Sequence, residues 1–176
     1  MSQRILVAFA SKYGATAEIA ARIGQVLREV GLHVDVQPAE TVSDLSPYTA
    51  VILGSAVYAG SWRKEAVHFL ETFEDKLAQM PVWLFSSGPT GQGDPLTLLK
   101  GWNFPDAQKP LTDHIQPRDL VLFHGEINMQ KLNFGEKLII KGLKAPVGDF
   151  RDWKAISAWT MSVADVLKHG ATQMPQ

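Results

Sequence analysis

The sequence has 176 residues, 45% of them hydrophobic, and a net charge of −1. It contains no cysteine, which excludes disulfides, thiolate metal ligands and cysteine nucleophiles, and we predict no metal site. The near-neutral charge gives no basic field for binding nucleic acid, and no apolar run approaches the ~20 residues of a membrane span. We therefore expect a cytoplasmic protein with one domain over residues 1–170 and a polar tail over 171–176.

The first strand and helix patterns follow one another directly. Residues 4–10 are a continuous apolar run, typical of a strand buried on both faces. Apolar residues then recur at helical spacing over 19–30, and Gly31 is a helix stop signal. Residues 32–38 alternate apolar and polar side chains, which predicts a half-exposed edge strand ending at Pro38.

The same alternation continues to the end of the chain. We predict buried strands over 48–57 and 118–127 and a strand that runs into a Ser-, Gly- and Thr-rich loop over 81–93. Apolar positions at helical spacing predict helices over 66–77 and 153–167. Strands alternating with helices predict a parallel sheet with helices on both faces.

Two segments go beyond this minimal alternation. Residues 91–117 contain several prolines and are weakly periodic, and we interpret them as a long loop with one short helix around 95–101. Residues 128–150 separate the last strand from the last helix and contain a predicted helix around 135–144.

Three loops leave the carboxyl ends of predicted strands, at residues 11–16, 55–61 and 86–93. All three are rich in small and hydroxyl residues and poor in charge. In a doubly wound sheet, ligands bind outside these strand ends, where the strand order reverses. The three loops are therefore the candidate ligand site.

The first loop, "SKYGAT", favours an anion. It brings Ser11, Thr16 and several backbone N–H groups to a helix N-terminus, and Lys12 is its one cation. The pattern is neither a P-loop nor a dinucleotide fingerprint. A phosphate site is one interpretation; the other is an ordinary turn in which Ser11 or Thr16 merely caps the helix.

The second and third loops favour a flat ring. Tyr58 lies where an aromatic side chain can contact such a ring, whereas we interpret Trp62 as packing at the start of the second helix. The third loop, "SSGPTGQG", offers amides and hydroxyls to the polar edge of a ring. A phosphate at the first loop and a planar heterocycle between the other two together describe flavin mononucleotide (FMN).

On these motifs the sequence resembles the flavodoxin family, from its first strand to its last helix. "SKYGAT" is similar to the family's phosphate loop, and "GSAVYAG" and "SSGPTG" occupy the positions of its two ring-flanking loops. The resemblance implies an α/β fold, a three-layer doubly wound sandwich with a five-stranded parallel sheet of order 2-1-3-4-5, and noncovalent FMN. It implies cofactor contacts from these residues: Ser11, Lys12, Tyr13, Gly14, Ala15, Thr16, Ala56, Val57, Tyr58, Ala59, Gly60, Ser87, Gly88, Pro89, Thr90 and Gly91.

Within the family, the sequence is most similar to the branch of menaquinone-dependent protoporphyrinogen dehydrogenase. The likeness lies in "GSAVYAG-x-W" and in "KLIIKGLKAPVGDFRDW", placed between the last strand and the last helix. It implies an oxidoreductase that passes electrons between FMN and a small or lipid-soluble substrate of porphyrinogen or quinone type. The enzyme of that branch carries a strongly basic insertion, whereas residues 91–117 are nearly neutral here.

The alternative is a flavodoxin-type electron carrier with a protein redox partner and no small substrate. Carriers of this type resemble one another in being strongly acidic, which steers them to basic partners, and a net charge of −1 gives no such field.

A monomer and a homodimer are both compatible with the family. We assign no catalytic residue.

The segment 133–148 allows two interpretations. In one, the segment forms a substrate wall over the ring, and its apolar residues, with Lys137, Lys141 and Lys144 beside them, form a helix that contacts a membrane surface or quinone pool. In the other interpretation the apolar face packs on the sheet and the lysines are solvated.

Two further classes of function find little support. A phosphate-accepting signalling domain of this topology needs acidic residues after the first strand, where this chain has Ala10, Ser11 and Lys12. A hydrolase needs a nucleophile beside a base, and the five histidines suggest no such pair. His124 is the one histidine that a strand end brings near the cofactor rim, and a structural role is its alternative.

Overall fold

The chain alternates strands and helices in the computed structural model, which describes residues 3–170. The predicted tail at 171–176 lies outside the described residues. The first half contains β1 (Arg4–Ala10), α1 (Ala15–Glu29), β2 (His33–Pro38), β3 (Ala50–Tyr58), β4 (Ser61–Trp62) and α2 (Lys64–Leu77). The second half contains β5 (Val82–Ser87), α3 (Pro95–Leu98), α4 (Lys109–Ile115), β6 (Asp119–Phe123), β7 (Glu126–Ile127), α5 (Phe134–Leu143), β8 (Gly148–Asp149) and α6 (Trp153–Gly170).

Five parallel strands form the central sheet in the order β2-β1-β3-β5-β6. Counted over these five, this is the predicted order 2-1-3-4-5, so the fold class is confirmed. The short β4 folds back antiparallel on the end of β3, with Val57 opposite Trp62. Because strand order reverses between β1 and β3, their carboxyl ends open a crevice at that edge.

Alternate residues of the central strands enter two hydrophobic cores, one on each face of the sheet. On one face, Ile5 and Val7 pack with α1 and α6. On the other face, Leu6 and Ala8 pack with α2 and α4. The continuous apolar runs in the sequence are therefore explained by burial on both faces, as in other covered parallel sheets. Gly54 is required in β3 because any side chain there would overlap the ring of Phe85 on β5.

Residues 91–117 are more helical than the sequence predicts. The short helix predicted around 95–101 is present as α3, but α4 was missed. Pro110 lies in the first turn of α4, where proline costs no helical hydrogen bond. The helix is stabilised by tertiary packing, since Ile115 is buried and Leu111 packs against the core beside α2.

The strand predicted over 118–127 is wrong at its carboxyl end. β6 stops at Phe123, and residues 126–127 pair instead with residues 148–149 in a separate two-stranded ribbon. Gly125 marks the break, because its backbone lies against that of Gly88. The helix predicted around 135–144 is present as α5, between the two strands of the ribbon.

Candidate functional site

A cavity of about 390 Å³ lies at the carboxyl edge of the sheet, within the usual size range of small-molecule sites. All three loops identified in the sequence contribute to its lining. The predicted cofactor residues that line it are Ser11, Tyr13, Ala15, Thr16, Ala56, Val57, Tyr58, Ala59, Ser87 and Gly88. Their convergence follows from the fold, because parallel strands end at the same edge.

The other predicted cofactor residues lie outside this lining: Lys12, Gly14, Gly60, Pro89, Thr90 and Gly91. Gly14 is the N-cap of α1, and Gly60 forms the turn between β3 and β4 with a positive φ. The Pro89 carbonyl accepts a hydrogen bond from the Gly125 N–H. Contact of these residues, and of the lining residues, with the cofactor stays a prediction.

The first loop delivers hydrogen-bond donors to one end of the cavity. The Ser11 hydroxyl accepts a 3.0 Å hydrogen bond from the Gly14 N–H, which closes the loop. Gly14 has a φ of 94° and no side chain, so α1 has no side-chain cap. The first helical bond is from the Glu18 N–H to the Gly14 carbonyl. The amides of residues 15–17 therefore precede the helical ladder, and an anion there would accept from them.

Two glycines form a flat floor at the other end. A Cβ on Gly125 would lie 2.9 Å from the Gly88 carbonyl oxygen, and one on Gly88 would lie 3.2 Å from Cβ of Val57. All three residues line the cavity. Only residues without side chains allow the two backbones to approach this closely, and the result is a slot suited to a planar group.

His124 holds the third loop in place. Its ring is buried, with Nδ1 3.0 Å from the Pro89 carbonyl oxygen and Nε2 2.6 Å from the Gly93 carbonyl oxygen. The side chain lies outside the cavity lining. These contacts link the end of β6 to the loop after β5, and they therefore give His124 a structural role.

The two aromatic side chains of the second loop separate as the sequence predicts. Tyr58 is partly exposed and lines the cavity, and its partial burial raises the pKa of its phenol above the ordinary value. Trp62 is buried just before α2, donates a 2.8 Å hydrogen bond to the Ser86 hydroxyl and packs edge-on against Phe104. Only Tyr58 is available to a ligand.

One side of the cavity is built by residues that we call the wall segment, 126–150. Together with Gly125, it adds these lining residues, none of which is among the predicted cofactor contacts: Glu126, Ile127, Asn128, Lys131, Leu132, Glu136, Ile139, Ile140 and Leu143. The break at Gly125 had a local signal, since an isolated glycine in a strand pattern often marks a close backbone approach. The apolar residues of α5 were noticed, but their direction was not predictable from spacing alone.

Polar contacts attach the wall segment to the first loop. Lys12 forms an ion pair with Glu136, and the Lys131 ammonium donates a 3.2 Å hydrogen bond to the Tyr13 carbonyl. The hydrogen bond from Lys12 is the main reason that the pKa of Glu136 falls to about 2, and the same bond raises the pKa of Lys12. The single cation of "SKYGAT" is therefore already paired, and Lys131 brings a second cation to the cavity.

Arg151 attaches the base of the wall segment to α1. Its side chain is 5% exposed and donates to both Asp149 carboxylate oxygens at 2.8 Å and to the Ala15 carbonyl at 3.1 Å. It also forms ion pairs with Glu18 in the first turn of α1 and with Glu126 of β7. One guanidinium therefore joins the ribbon of β7 and β8 to the start of the helix behind the first loop.

The donor set of the cavity fits FMN. At one end, leading amides of α1, the Ser11 and Thr16 hydroxyls and Lys131 match a phosphate group. At the other end, the glycine floor and Tyr58 match a flat ring. One end of the cavity therefore matches the phosphate of FMN, and the other end matches its flavin ring.

Comparison with solved structures shows the same fold in flavodoxins. A flavodoxin from the domain Archaea matches with a TM-score of 0.60 and 13% identity over 95% of this chain and 100% of that chain. Oxidised Flavodoxin 2 from Bacillus cereus matches with a TM-score of 0.59 and 21% identity, covering 92% of this chain and 98% of that one. At such identities the likeness establishes the fold.

A larger protein also contains this fold. Rubredoxin oxygen:oxidoreductase from the anaerobe Desulfovibrio gigas matches with a TM-score of 0.62 and 13% identity over 94% of this chain, which spans only 36% of that protein. Among curated proteins, no match to the chain was found. Residues 6–153 match the family model described as the flavodoxin domain. The chain therefore belongs to the flavodoxin domain family, and this membership indicates FMN as its cofactor.

Proposed function

We propose that this protein is an FMN-dependent oxidoreductase of the protoporphyrinogen dehydrogenase-like branch. Its substrate would be a planar, lipid-soluble molecule of quinone or porphyrinogen type. Each turnover would move two electrons and two protons from a reduced donor of porphyrinogen type to an oxidised acceptor of quinone type. The observation that carries the proposal is the apolar wall that α5 adds to the cavity.

Among residues 3–170, the wall has no partner that covers its apolar side chains. Ile139, Ile140 and Leu143 line the cavity, yet no residue of α5 is buried, and Ile139 and Leu143 are 61% and 72% exposed. Covering such side chains is favourable by about 25 cal/mol per Å² of apolar area removed from water. An apolar substrate held between α5 and the flavin site would provide that cover.

FMN, when bound, supplies one- and two-electron transfer. The chain would orient the reacting partners and restrict water. The glycine floor and Tyr58 would fix the plane in which a flat substrate lies. The Tyr58 hydroxyl is protonated near neutral pH, as any phenol is, and burial raises its pKa further, so it can donate a hydrogen bond from Oη to a substrate or ring oxygen.

The charge of the chain supports a small substrate over a protein partner. An electron carrier that docks on a partner by electrostatic steering benefits from a strong net charge, and this chain carries −1. A carrier also needs an accessible ring edge rather than an apolar wall over it. These two features favour the enzyme.

The test is a substitution on α5 that fills part of the cavity with a larger side chain. FMN-loaded protein is reduced with stoichiometric dithionite without oxygen and mixed with either a water-soluble naphthoquinone or ferricyanide. We expect Ile140→Trp to slow quinone reduction by at least about tenfold while ferricyanide reduction is kept, since ferricyanide needs no pocket. Leu138→Trp is the matched control, because Leu138 lies outside the cavity lining on the same helix.

Equal quinone rates in the wild type and Ile140→Trp would contradict the proposal and favour the carrier. FMN content is measured in every sample by absorbance. This separates a blocked substrate pocket from a lost cofactor.

A further inference from the structure

The side of α5 that faces away from the cavity is both apolar and basic. Phe134 and Leu138 lie one turn apart and are 78% and 54% exposed. At helical spacing, Lys137 and Lys141 lie on the same side of the helix as these two residues, and Lys144 directly follows its last turn. Val147, just beyond the helix, is exposed as well.

This side of the helix carries a positive charge that the rest of the chain does not. Residues 129–147 contain four lysines and one glutamate, whereas the chain as a whole has a net charge of −1. The glutamate, Glu136, lies on the cavity side and is paired with Lys12. Within residues 3–170, Lys137, Lys141 and Lys144 form no ion pair.

We infer that this face, defined by Phe134, Lys137, Leu138, Lys141, Lys144 and Val147, docks on an anionic lipid bilayer. Lysines on one side of exposed apolar residues are the pattern of a helix that lies in a membrane interface. The apolar side chains enter the headgroup boundary, and the ammonium groups bind lipid phosphates. Among the residues described, no helix has the length and apolarity to cross a membrane, so the contact is peripheral.

The position of the helix favours a bilayer over a protein partner. α5 has ten residues and is about 15 Å long, which is sufficient for shallow insertion of its exposed apolar side chains at a bilayer surface. The same helix walls the cavity on its other side, where Ile139 and Leu143 remain exposed. A bilayer against the outer face therefore lies next to the cavity mouth.

The inference does not depend on the proposed reaction. Lipid docking is measured without turnover, and a carrier could dock in the same way. A bilayer beside the cavity would supply a lipid-soluble substrate if the proposed function holds.

The test is cosedimentation of the FMN-loaded full chain with vesicles. One set is phosphatidylcholine alone, and the other contains about a third phosphatidylglycerol. We expect binding to the anionic vesicles that salt weakens and at least about tenfold weaker binding to the neutral ones. Phe134→Asp, and separately the triple variant Lys137→Gln, Lys141→Gln, Lys144→Gln, should each weaken anionic binding by at least about tenfold.

The matched control removes three exposed lysines elsewhere: Lys64→Gln, Lys154→Gln, Lys168→Gln. Its net charge equals that of the first triple variant, so it reports general electrostatic attraction. The inference is overturned if the wild type ignores anionic vesicles, or if both triple variants lose binding equally. It is also overturned if Phe134→Asp converts a dimer to a monomer in size-exclusion chromatography without affecting lipid binding, because the face would then join two copies of the chain.

Discussion

The floor and the wall of the candidate site are held in place by different forces. By the floor we mean the three loops 11–16, 55–61 and 86–93 together with the two glycines. It continues from β1, β3 and β5, whose central residues are buried on both faces of the sheet. The wall segment places α5 over the cavity without burying any α5 residue. Its attachments to the rest of the chain are mainly charged and polar. The floor is therefore positioned by burial, and the wall by a few directional contacts that respond to pH and salt.

The largest expected effect is a difference in the free energy of unfolding between a variant beneath the floor and a variant on the wall. Phe85→Ala removes a fully buried ring beneath the third loop and should lower the free energy of unfolding by about 3–5 kcal/mol. Leu138→Ala on the exposed side of α5 should change it by less than about 0.5 kcal/mol. Urea denaturation followed by circular dichroism measures both. A comparable cost for the two variants would mean that α5 is part of the core.

The next effect concerns the base of the wall segment. Arg151→Met removes the cation that the carboxylates of Glu18, Glu126 and Asp149 share. Because two of these carboxylates are partly exposed to water, we expect the free energy of unfolding to fall by only about 1–3 kcal/mol. Cleavage by trypsin within residues 126–150 should become faster in the native protein. Arg118→Met is the control, since Arg118 is exposed on the surface. Unchanged cleavage in the Arg151 variant would show that other contacts hold the wall segment.

The third effect concerns only the phosphate end of the floor. Ser11→Ala and Thr16→Ala should each weaken FMN binding by about 1–2 kcal/mol, the cost of one charge-assisted hydrogen bond. Riboflavin, which lacks the phosphate, should bind the variants and the wild type equally. Titration of the apoprotein by flavin fluorescence measures both ligands. Unchanged FMN affinity in both variants would make the phosphate assignment wrong.

The smallest effect is the pH dependence of the wall. Lys12 lowers the pKa of Glu136 from an ordinary value near 4.5 to about 2. The ion pair therefore stabilises the attached helix fully above about pH 4.5, and this contribution is lost as the pH falls toward 2. Amide hydrogen exchange over residues 134–143 should be faster in Glu136→Gln than in the wild type at neutral pH.

The difference between Glu136→Gln and the wild type should shrink through that window and vanish near pH 2. The capping contact with Asn133 is kept by glutamine, so the comparison isolates the charge. A difference that is independent of pH would attribute the effect to packing instead.

The sequence was most informative about the floor. Continuous apolar runs such as 4–10 identify strands buried on both faces, and their carboxyl ends must meet at one edge. For this reason residues as distant as Ser11, Tyr58 and Gly88 could be assigned to one site before the structure was known.

A wall formed by residues 133–148 was one hypothesis from the sequence, but its position against the first loop was not predictable because it depends on contacts between distant residues. Helical periodicity predicted α5, yet what lies against α5 is decided by Lys12 and Glu136, which are 124 residues apart. Likewise the pairing of residues 126–127 with 148–149 has no local signal, so the strand pattern was extended too far. The helix α4 was missed because its stability comes from Ile115 in the core and not from its own short sequence.

The bond from Arg151 to the Ala15 carbonyl spans 136 residues of chain. Contacts with such long sequence separation form late in folding, since a long loop must be closed before they are gained. The start of α1 thus acquires this partner only after all five parallel strands have been synthesised, because Arg151 follows the last of them in the chain. FMN bound at the first loop would favour chains in which this contact has closed, so its supply would raise the folded fraction as well as the active fraction.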